Sequence, residues 1–144
     1  MKPKNFISKL DEEKIVASIG AAEMKTSGEI RVYISRKNRE DALAAAQNRF
    51  EKLGMTKTKL RNAVLIFLAP RSQKFAVIGD TGIHQICGNE FWKGISEKMT
   101  GLLREGQFTE AILAGINEAA DALAKHFPRL PDDTDELPNQ IIRD

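Results

Sequence analysis

The spacing of apolar positions predicts three strands in the first half of this chain. Residues 29–35 alternate strictly between apolar and polar side chains, which is the two-residue period of a strand. Residues 63–69 are apolar on both sides, as is typical of a central strand in a covered sheet. Residues 74–78 follow after a short polar turn, so we expect a hairpin in which these last two strands run antiparallel.

Apolar residues at helical spacing predict four helices around these strands. Asp11 is the expected cap of the first helix and Asn38 of the second, and the third is expected to begin at Gly88 or Asn89. The apolar stripes are Ile15, Ile19 and Ala22; Ala42, Ala46, Phe50 and Leu53; Trp92, Ile95, Met99 and Leu102; and Phe108, Ile112, Ile116, Ala119, Ala120, Leu123 and Phe127. The resulting order, α-β-α-β-β-α-α, predicts a single α/β domain, a mixed β-sheet with helices on both faces.

The end of the chain differs in composition from the rest. A length of 144 residues fits one domain. Three of the five prolines and an acidic cluster at 132–136 follow residue 127. We therefore predict an α/β domain over residues 1–128 and a C-terminal tail over 129–144, in which Ile141 and Ile142 can dock back on the domain.

Charge and hydropathy exclude several classes of protein. The net charge of +2 is too small to indicate nucleic-acid binding. The basic N-terminus has no apolar segment behind it, and the longest apolar run, 63–69, is far shorter than the ~20 residues that span a bilayer. A single cysteine allows no internal disulfide and fits a reducing compartment. We expect a cytoplasmic protein with no membrane span and no nucleic-acid partner.

The sequence motifs of familiar enzymes are absent. The chain contains no P-loop, no dinucleotide-binding glycine motif, no His-Glu-x-x-His and no Gly-x-Ser-x-Gly. Cys87 lies three residues after His84, a spacing at which the two residues can form a nucleophile pair. No arginine follows Cys87 to bind a phosphate, so we interpret it as a small half-buried thiol.

Strand polarity predicts that three polar segments meet at one end of the sheet. If the first two strands are parallel and the third runs back, then Glu29, residues 61–62 and residues 79–82 share that end. Ca²⁺ and Mg²⁺ bind oxygen ligands supplied largely by loops, and glycines let backbone carbonyls approach an ion. The predicted metal ligands are Asp80, Glu29, Gly79, Thr81 and Glu90.

A simpler interpretation of the same segment stays open. A lone Gly-Asp-x-Gly is most often a turn, in which Asp80 accepts a hydrogen bond from the backbone of Gly82 or Ile83. The acidic residues at 132–136 lack the glycine and distal glutamate of an EF-hand loop, and we interpret them as a solvated tail.

Several segments together resemble a known family. They are Thr-Ser-Gly-Glu-Ile-Arg-Val at 26–32, Arg-Asn-Ala-Val-Leu-Ile at 61–66, Phe-Ala-Val-Ile-Gly-Asp-Thr-Gly-Ile at 75–83, Glu-Gly-Gln-Phe at 105–108 and Asp-Glu-Leu-Pro at 135–138. In this order and spacing they resemble the TPM domain family, named for a thylakoid lumen protein, a photosystem II repair protein and a worm receptor modulator. The resemblance implies a mixed sheet between helices.

The resemblance also implies a function. Members of the family have been linked to acid phosphatase activity, to binding of calcium or similar cations, and to assembly of membrane complexes. This chain shows none of the signal peptide, membrane segment or glycine-rich tail that many members carry, and it is similar to a short stand-alone bacterial form. The expected function is binding of a divalent cation, Ca²⁺ or Mg²⁺, with at most a weak metal-dependent phosphatase activity. The alternative is a non-catalytic module that binds another protein.

Overall fold

The predicted order of elements is confirmed, with one strand added at the end. The computed structural model describes residues 10–129 and 140–144. Within them the elements are α1 (Glu12–Glu23), β1 (Glu29–Ile34), α2 (Ala42–Lys52), β2 (Ala63–Ala69), β3 (Lys74–Gly79), α3 (Thr81–Arg104), α4 (Phe108–His126) and β4 (Ile142–Arg143). Short 3₁₀ turns at Met55–Lys57 and Pro70–Ser72 complete the connections before and after β2.

The described strands form one mixed sheet in the order β3-β2-β1-β4. Glu29 pairs with Ala63 in the parallel register of β1 and β2, and Val64 pairs with Gly79 in the antiparallel register of β2 and β3. The predicted antiparallel hairpin is therefore confirmed, and the parallel pairing on which the site prediction depended is observed. One consequence is that the start of β1, the start of β2 and the end of β3 lie at the same end of the sheet.

Helices cover both faces of this sheet, as predicted. Helices α1, α3 and α4 pack on one face, where the inward side chains of β1 are Ile30, Val32 and Ile34. Helix α2 packs on the other face against Tyr33 and Phe67, whose rings stack at 5.2 Å. Strand β2 is buried along its whole length because it has neighbours on both edges and helices on both faces. None of the helices in the described part of the chain has the length and apolar character to cross a membrane.

One predicted helix start is wrong, and another marks only the second segment of a longer, kinked helix. Helix α2 is capped by Asp41, whose carboxylate accepts a hydrogen bond from the backbone of Ala44, whereas the side chain of Asn38 accepts one from the hydroxyl of Ser72. Helix α3 begins at Thr81, seven residues before the predicted start at Gly88. Gly88 has a φ of 75° and kinks the helix, so that a second helical segment begins after it, at the predicted place.

Part of the predicted tail returns to the sheet. Residues 130–139, with the acidic cluster, lie outside the described residues. Ile142–Arg143 forms β4 and runs parallel to β1, with Tyr33 opposite Ile142. The carboxylate of Asp144 then accepts hydrogen bonds from the Ser35 hydroxyl at 2.5 Å, the Arg36 backbone at 2.7 Å and the Arg39 guanidinium at 3.0 Å. We call Ser35, Arg36, Arg39 and Asp144 the C-terminal clamp.

Candidate functional site

A groove of about 580 Å³ runs beside β3, the edge strand of the sheet, between α2 and the first half of α3. Its lining combines apolar and polar side chains, and the volume falls in the range that binds small molecules. The apolar lining residues are Leu43, Phe50, Val77, Ile78 and Trp92, and the polar side chains are Gln47, Glu51, Thr56, Arg61, Asp80, Thr81, His84 and Asn89.

An arginine and an aspartate form a two-point ion pair in this groove. Nε of Arg61 donates to Oδ2 of Asp80 at 2.6 Å, and Nη2 of Arg61 donates to Oδ1 at 2.9 Å. The Asp80 side chain is 5% exposed, whereas that of Arg61 is 47% exposed. The hydrogen bond to Asp80 and the charge of its carboxylate raise the pKa of Arg61 further above its ordinary value.

The backbone of Arg61 is held in an unusual conformation for this pairing. Its φ is 53°, in the left-handed region that costs a non-glycine residue roughly 1–2 kcal/mol. The backbone N–H of Gly82 donates to the carbonyl of Arg61 at 2.8 Å, and a Cβ on Gly82 would lie 2.1 Å from the carbonyl oxygen of Leu60. The second glycine of the Gly-Asp-Thr-Gly segment is therefore required for this turn to reach the start of α3.

Asp80 is also the cap residue that precedes α3. Its side chain accepts a backbone hydrogen bond, as the simpler interpretation of this segment expects. Its Oδ1 accepts a hydrogen bond from the backbone of Thr81 at 2.7 Å, one residue earlier than the predicted donors Gly82 and Ile83. The backbone carbonyl of Asp80 accepts the first helical hydrogen bond, from His84 at 2.9 Å. An aspartate at a helix N-terminus is stabilised by the free N–H groups and the positive end of the helix dipole.

The predicted metal ligands are only partly brought together. Gly79, Asp80 and Thr81 line the groove, and Glu29 and Glu90 do not. Glu29 begins β1, on the far side of β2 from Asp80, and it is buried. The charge of its carboxylate raises the pKa of Arg31. Among residues 10–129 and 140–144, no three His, Cys, Asp or Glu side chains are grouped so that they could hold a metal ion.

Glu29 acts electrostatically on Arg31, a buried arginine of the same strand. Burial lowers the pKa of Arg31, and the nearby charges of Glu23 and Glu29 oppose that shift. Two carboxylates around one buried guanidinium compensate its charge, which is the usual requirement for a charged residue inside a protein. The charge of Glu29 therefore favours the charged form of this buried arginine.

Sequence reasoning missed several polar residues of the groove, among them Glu51 and His84. Glu51 lies on α2 at four-residue spacing from Gln47 and Leu43, so the three share one helix face, and that spacing was a signal for a common location. His84 was considered only together with Cys87, but its imidazole Nδ1 accepts a hydrogen bond from the indole of Trp92 at 2.8 Å. No local pattern in the sequence shows that α2 and α3 face each other across β3.

Cys87 lies outside the groove. It lines a shallower depression between α3 and α4, together with Lys125 and His126. Burial raises the pKa of the Cys87 thiol, and the charge of Lys125 opposes this in part. The thiol is half-buried, as the sequence interpretation expected, and a raised pKa reduces its reactivity as a nucleophile.

Comparison with known proteins identifies the family of this chain. The model of the TPM domain, which carries the label TPM phosphatase, matches residues 1–122. The BA42 protein of the psychrophilic bacterium Bizionia argentinensis, solved by NMR, is similar in structure, with a TM-score of 0.85, 39% sequence identity and 92% of each chain covered. No curated protein sequence matches the chain. The family match covers far more than half of the sequence, and the chain belongs to the TPM domain family.

Proposed function

We propose that the groove binds a phosphate-bearing molecule together with a divalent cation, Mg²⁺ or Ca²⁺, and that the domain has a weak metal-dependent phosphatase activity. The observation that carries this proposal is the Arg61–Asp80 pair in the groove, in which the aspartate is buried and the arginine is half exposed. The label of the matching family model is consistent with such an activity.

Arg61 has the geometry of an oxyanion ligand. A guanidinium carries five N–H donors, and the two bonds to Asp80 use one at Nε and one at Nη2. The donors on the outer edge, including both on Nη1, stay available to phosphoryl oxygens. Asp80 fixes the plane of the guanidinium, so a phosphate meets donors that are already oriented. The cost of the left-handed backbone at Arg61 is consistent with a residue held for function.

Asp80 and Glu51 are the acidic residues of the groove that would hold the cation. The Asp80 carboxylate accepts three N–H bonds, from Arg61 and Thr81, which leaves about one of its four lone-pair sites for an ion. Mg²⁺ is commonly bound through one or two carboxylates, substrate phosphate oxygens and water. When bound, such a cation would neutralise charge on the phosphoryl group. We therefore expect the cation and the phosphate to bind cooperatively.

An amide NMR titration tests this expectation. Mg²⁺ is added with and without phenylphosphonate, a phosphate analogue that is not hydrolysed. The expected result is saturable shifts at residues 61 and 79–84, with at least a tenfold higher Mg²⁺ affinity when phenylphosphonate is present. Coupling is reciprocal, so Mg²⁺ must raise the affinity for phenylphosphonate by the same factor.

Matched variants separate the groove from general effects on the fold. Asp80→Asn keeps a side chain that caps helices well but loses the charge, and it should abolish the coupling. Asp41→Asn makes the same change at the cap of α2, outside the groove lining, and should leave the coupling intact. Equal behaviour of the two variants would contradict the proposal.

The same samples distinguish the alternative, a non-catalytic protein-interaction module. A phosphatase assay with p-nitrophenyl phosphate should show activity that needs Mg²⁺ or Ca²⁺ and is lost in Asp80→Asn. Phosphonate binding with no hydrolysis would leave a binding domain without chemistry. No binding of either ligand would favour the interaction module.

A further inference from the structure

His84 lies one helical turn after Asp80 and lines the groove. Its backbone N–H donates to the carbonyl of Asp80 at 2.9 Å, which sets it in the first turn of α3. The side chain is exposed and lines the groove together with Arg61, Asp80 and Thr81. A residue in this place can contact a group held by Arg61.

The bond from Trp92 determines which tautomer of the His84 ring fits. Nε1 of Trp92 lies 2.8 Å from Nδ1 of His84, and the indole N–H is a donor only. Nδ1 must therefore accept with its lone pair, so the proton of the neutral imidazole is on Nε2. An imidazolium would place a second proton on Nδ1, facing the indole N–H, and would lose this hydrogen bond.

The protein holds Trp92 firmly in the position that makes this bond. The Trp92 side chain is largely buried, and its ring lies so close to Gly79 that a Cβ there would be 2.4 Å away. Phe91 packs edge-on against it, with ring centroids 4.9 Å apart. His84 and Trp92 are eight residues apart, which in a straight helix is a rise of about 12 Å. The interruption at Gly88 lies between them and changes the direction of the helix.

We infer that Nε2 of His84 donates a hydrogen bond to an oxygen of the bound phosphoryl group, with Trp92 as the positioning residue of the ring. This inference rests on the proposed function, because it needs a phosphate in the groove. It assigns His84 neither the role of a general base, since Nε2 already carries a proton, nor that of a charged acid. An N–H donor aimed at phosphoryl oxygens stabilises their charge without any proton transfer.

Replacing His84 tests the role through binding of phenylphosphonate. His84→Ala removes the donor and should weaken binding about tenfold to a hundredfold, the range for a hydrogen bond to a charged group. His84→Gln keeps an amide N–H donor that cannot act as an acid or a base, and it should restore most of the lost affinity. The chain's single tryptophan is the contact partner of His84, so its fluorescence reports binding directly.

A nitrogen-15 NMR spectrum of the imidazole ring gives an independent readout on the ligand-free protein. The wild type should show a protonated Nε2 and an unprotonated Nδ1 at neutral pH, and Trp92→Phe should show a mixture of the two tautomers. A proton on Nδ1 in the wild type would overturn the inference, and so would a Gln variant that binds no better than the Ala variant. If wild-type protein bound no phenylphosphonate at all, the proposed function would fall as well.

Discussion

The sheet has an arginine–carboxylate pair at each end, and the two pairs differ in what surrounds them. At the groove end, Arg61 is 47% exposed and Asp80 is 5% exposed. At the C-terminal clamp, Arg39 is 21% exposed and Asp144 is 6% exposed. Both carboxylates are therefore buried, but only the guanidinium of Arg61 is close to half exposed.

The partners of each pair explain the difference. Asp144 follows β4, and its bonds to Ser35, Arg36 and Arg39 fasten that strand beside β1. Asp80 instead begins a helix and holds Arg61 at the side of a groove. An ion pair alone is therefore weak evidence for function. The informative features are the donors that the pair leaves available and the space in front of them.

The largest expected effect is on the turn that supports the groove pair. Gly82→Ala should lower the free energy of unfolding by about 1–3 kcal/mol, because its Cβ would overlap the backbone carbonyl of Leu60. Gly94→Ala is the control in the same helix, where a Cβ meets nothing within 4 Å, and it should stabilise the protein by about 1 kcal/mol. Chemical denaturation of both variants measures the two values. Destabilisation of similar size in both would contradict the role given to Gly82.

The clamp should affect stability without affecting the groove. Asp144→Asn weakens three hydrogen bonds and should lower the free energy of unfolding by about 0.5–1.5 kcal/mol. Its coupling between Mg²⁺ and phenylphosphonate should equal that of the wild type. Loss of coupling in this variant would mean that the two ends of the sheet do not act separately.

Acid should loosen the clamp gradually. Burial would raise the pKa of Asp144, but the bonds from Ser35, Arg36 and Arg39 outweigh burial and lower it. Because the folded-state pKa is below the unfolded value of about 3.9, this stabilisation is present above that pH and is lost as the pH falls through the folded-state pKa. The effect should be smaller than that of Asp144→Asn. Because the pKa of Asp144 is lowered, mild acid protonates only part of its carboxylate. The protection of the amides of residues 34 and 143, taken as the intrinsic exchange rate at each pH divided by the observed rate, should fall in acid, and unchanged protection would contradict the assignment.

The smallest effect concerns Arg61 and Gln73, which within residues 10–129 and 140–144 are the non-glycine residues with a left-handed backbone, both with a φ of 53°. Gln73→Gly relieves the left-handed backbone but adds freedom to the unfolded chain, so the net stabilisation should be only a few tenths of a kcal/mol. The variant should bind phenylphosphonate normally. Arg61→Gly relieves the same strain and should abolish binding. Equal binding in the two variants would remove Arg61 from the site.

The sequence predicts the elements better than the site because elements depend on local patterns. Residues 63–69 could only be a covered strand, and the short link at 70–73 gave the hairpin. The end of the sheet where Arg61 and Asp80 meet also follows from strand direction. Strand polarity fixes the end of the sheet but not the distance across it, and β2 lies between Glu29 and Asp80, so Glu29 does not line the groove.

The remaining features depend on contacts between residues far apart in the chain. The pairing of Trp92 with His84 needs the interruption at Gly88, which looks like an ordinary helix start in the sequence. The contribution of Glu51 needs α2 and α3 to lie on either side of β3. Composition and periodicity do not contain this information. The metal ligands and the cytoplasmic location stay predictions.

The position of β4 has a consequence for how the chain is made. Ser35 and Asp144, which hold this strand in place, are 109 residues apart, so at a synthesis rate of 5–20 residues per second the second is added roughly 5–20 s after the first. Until then, the outer edge of β1 at Tyr33 and Ile34 lacks the backbone partner that it has in the finished fold. Unpaired strand edges promote association between chains. Pairing of β4 with β1 is therefore a late step of biogenesis. Truncation of the chain before Ile142 should lower the yield of monomeric protein.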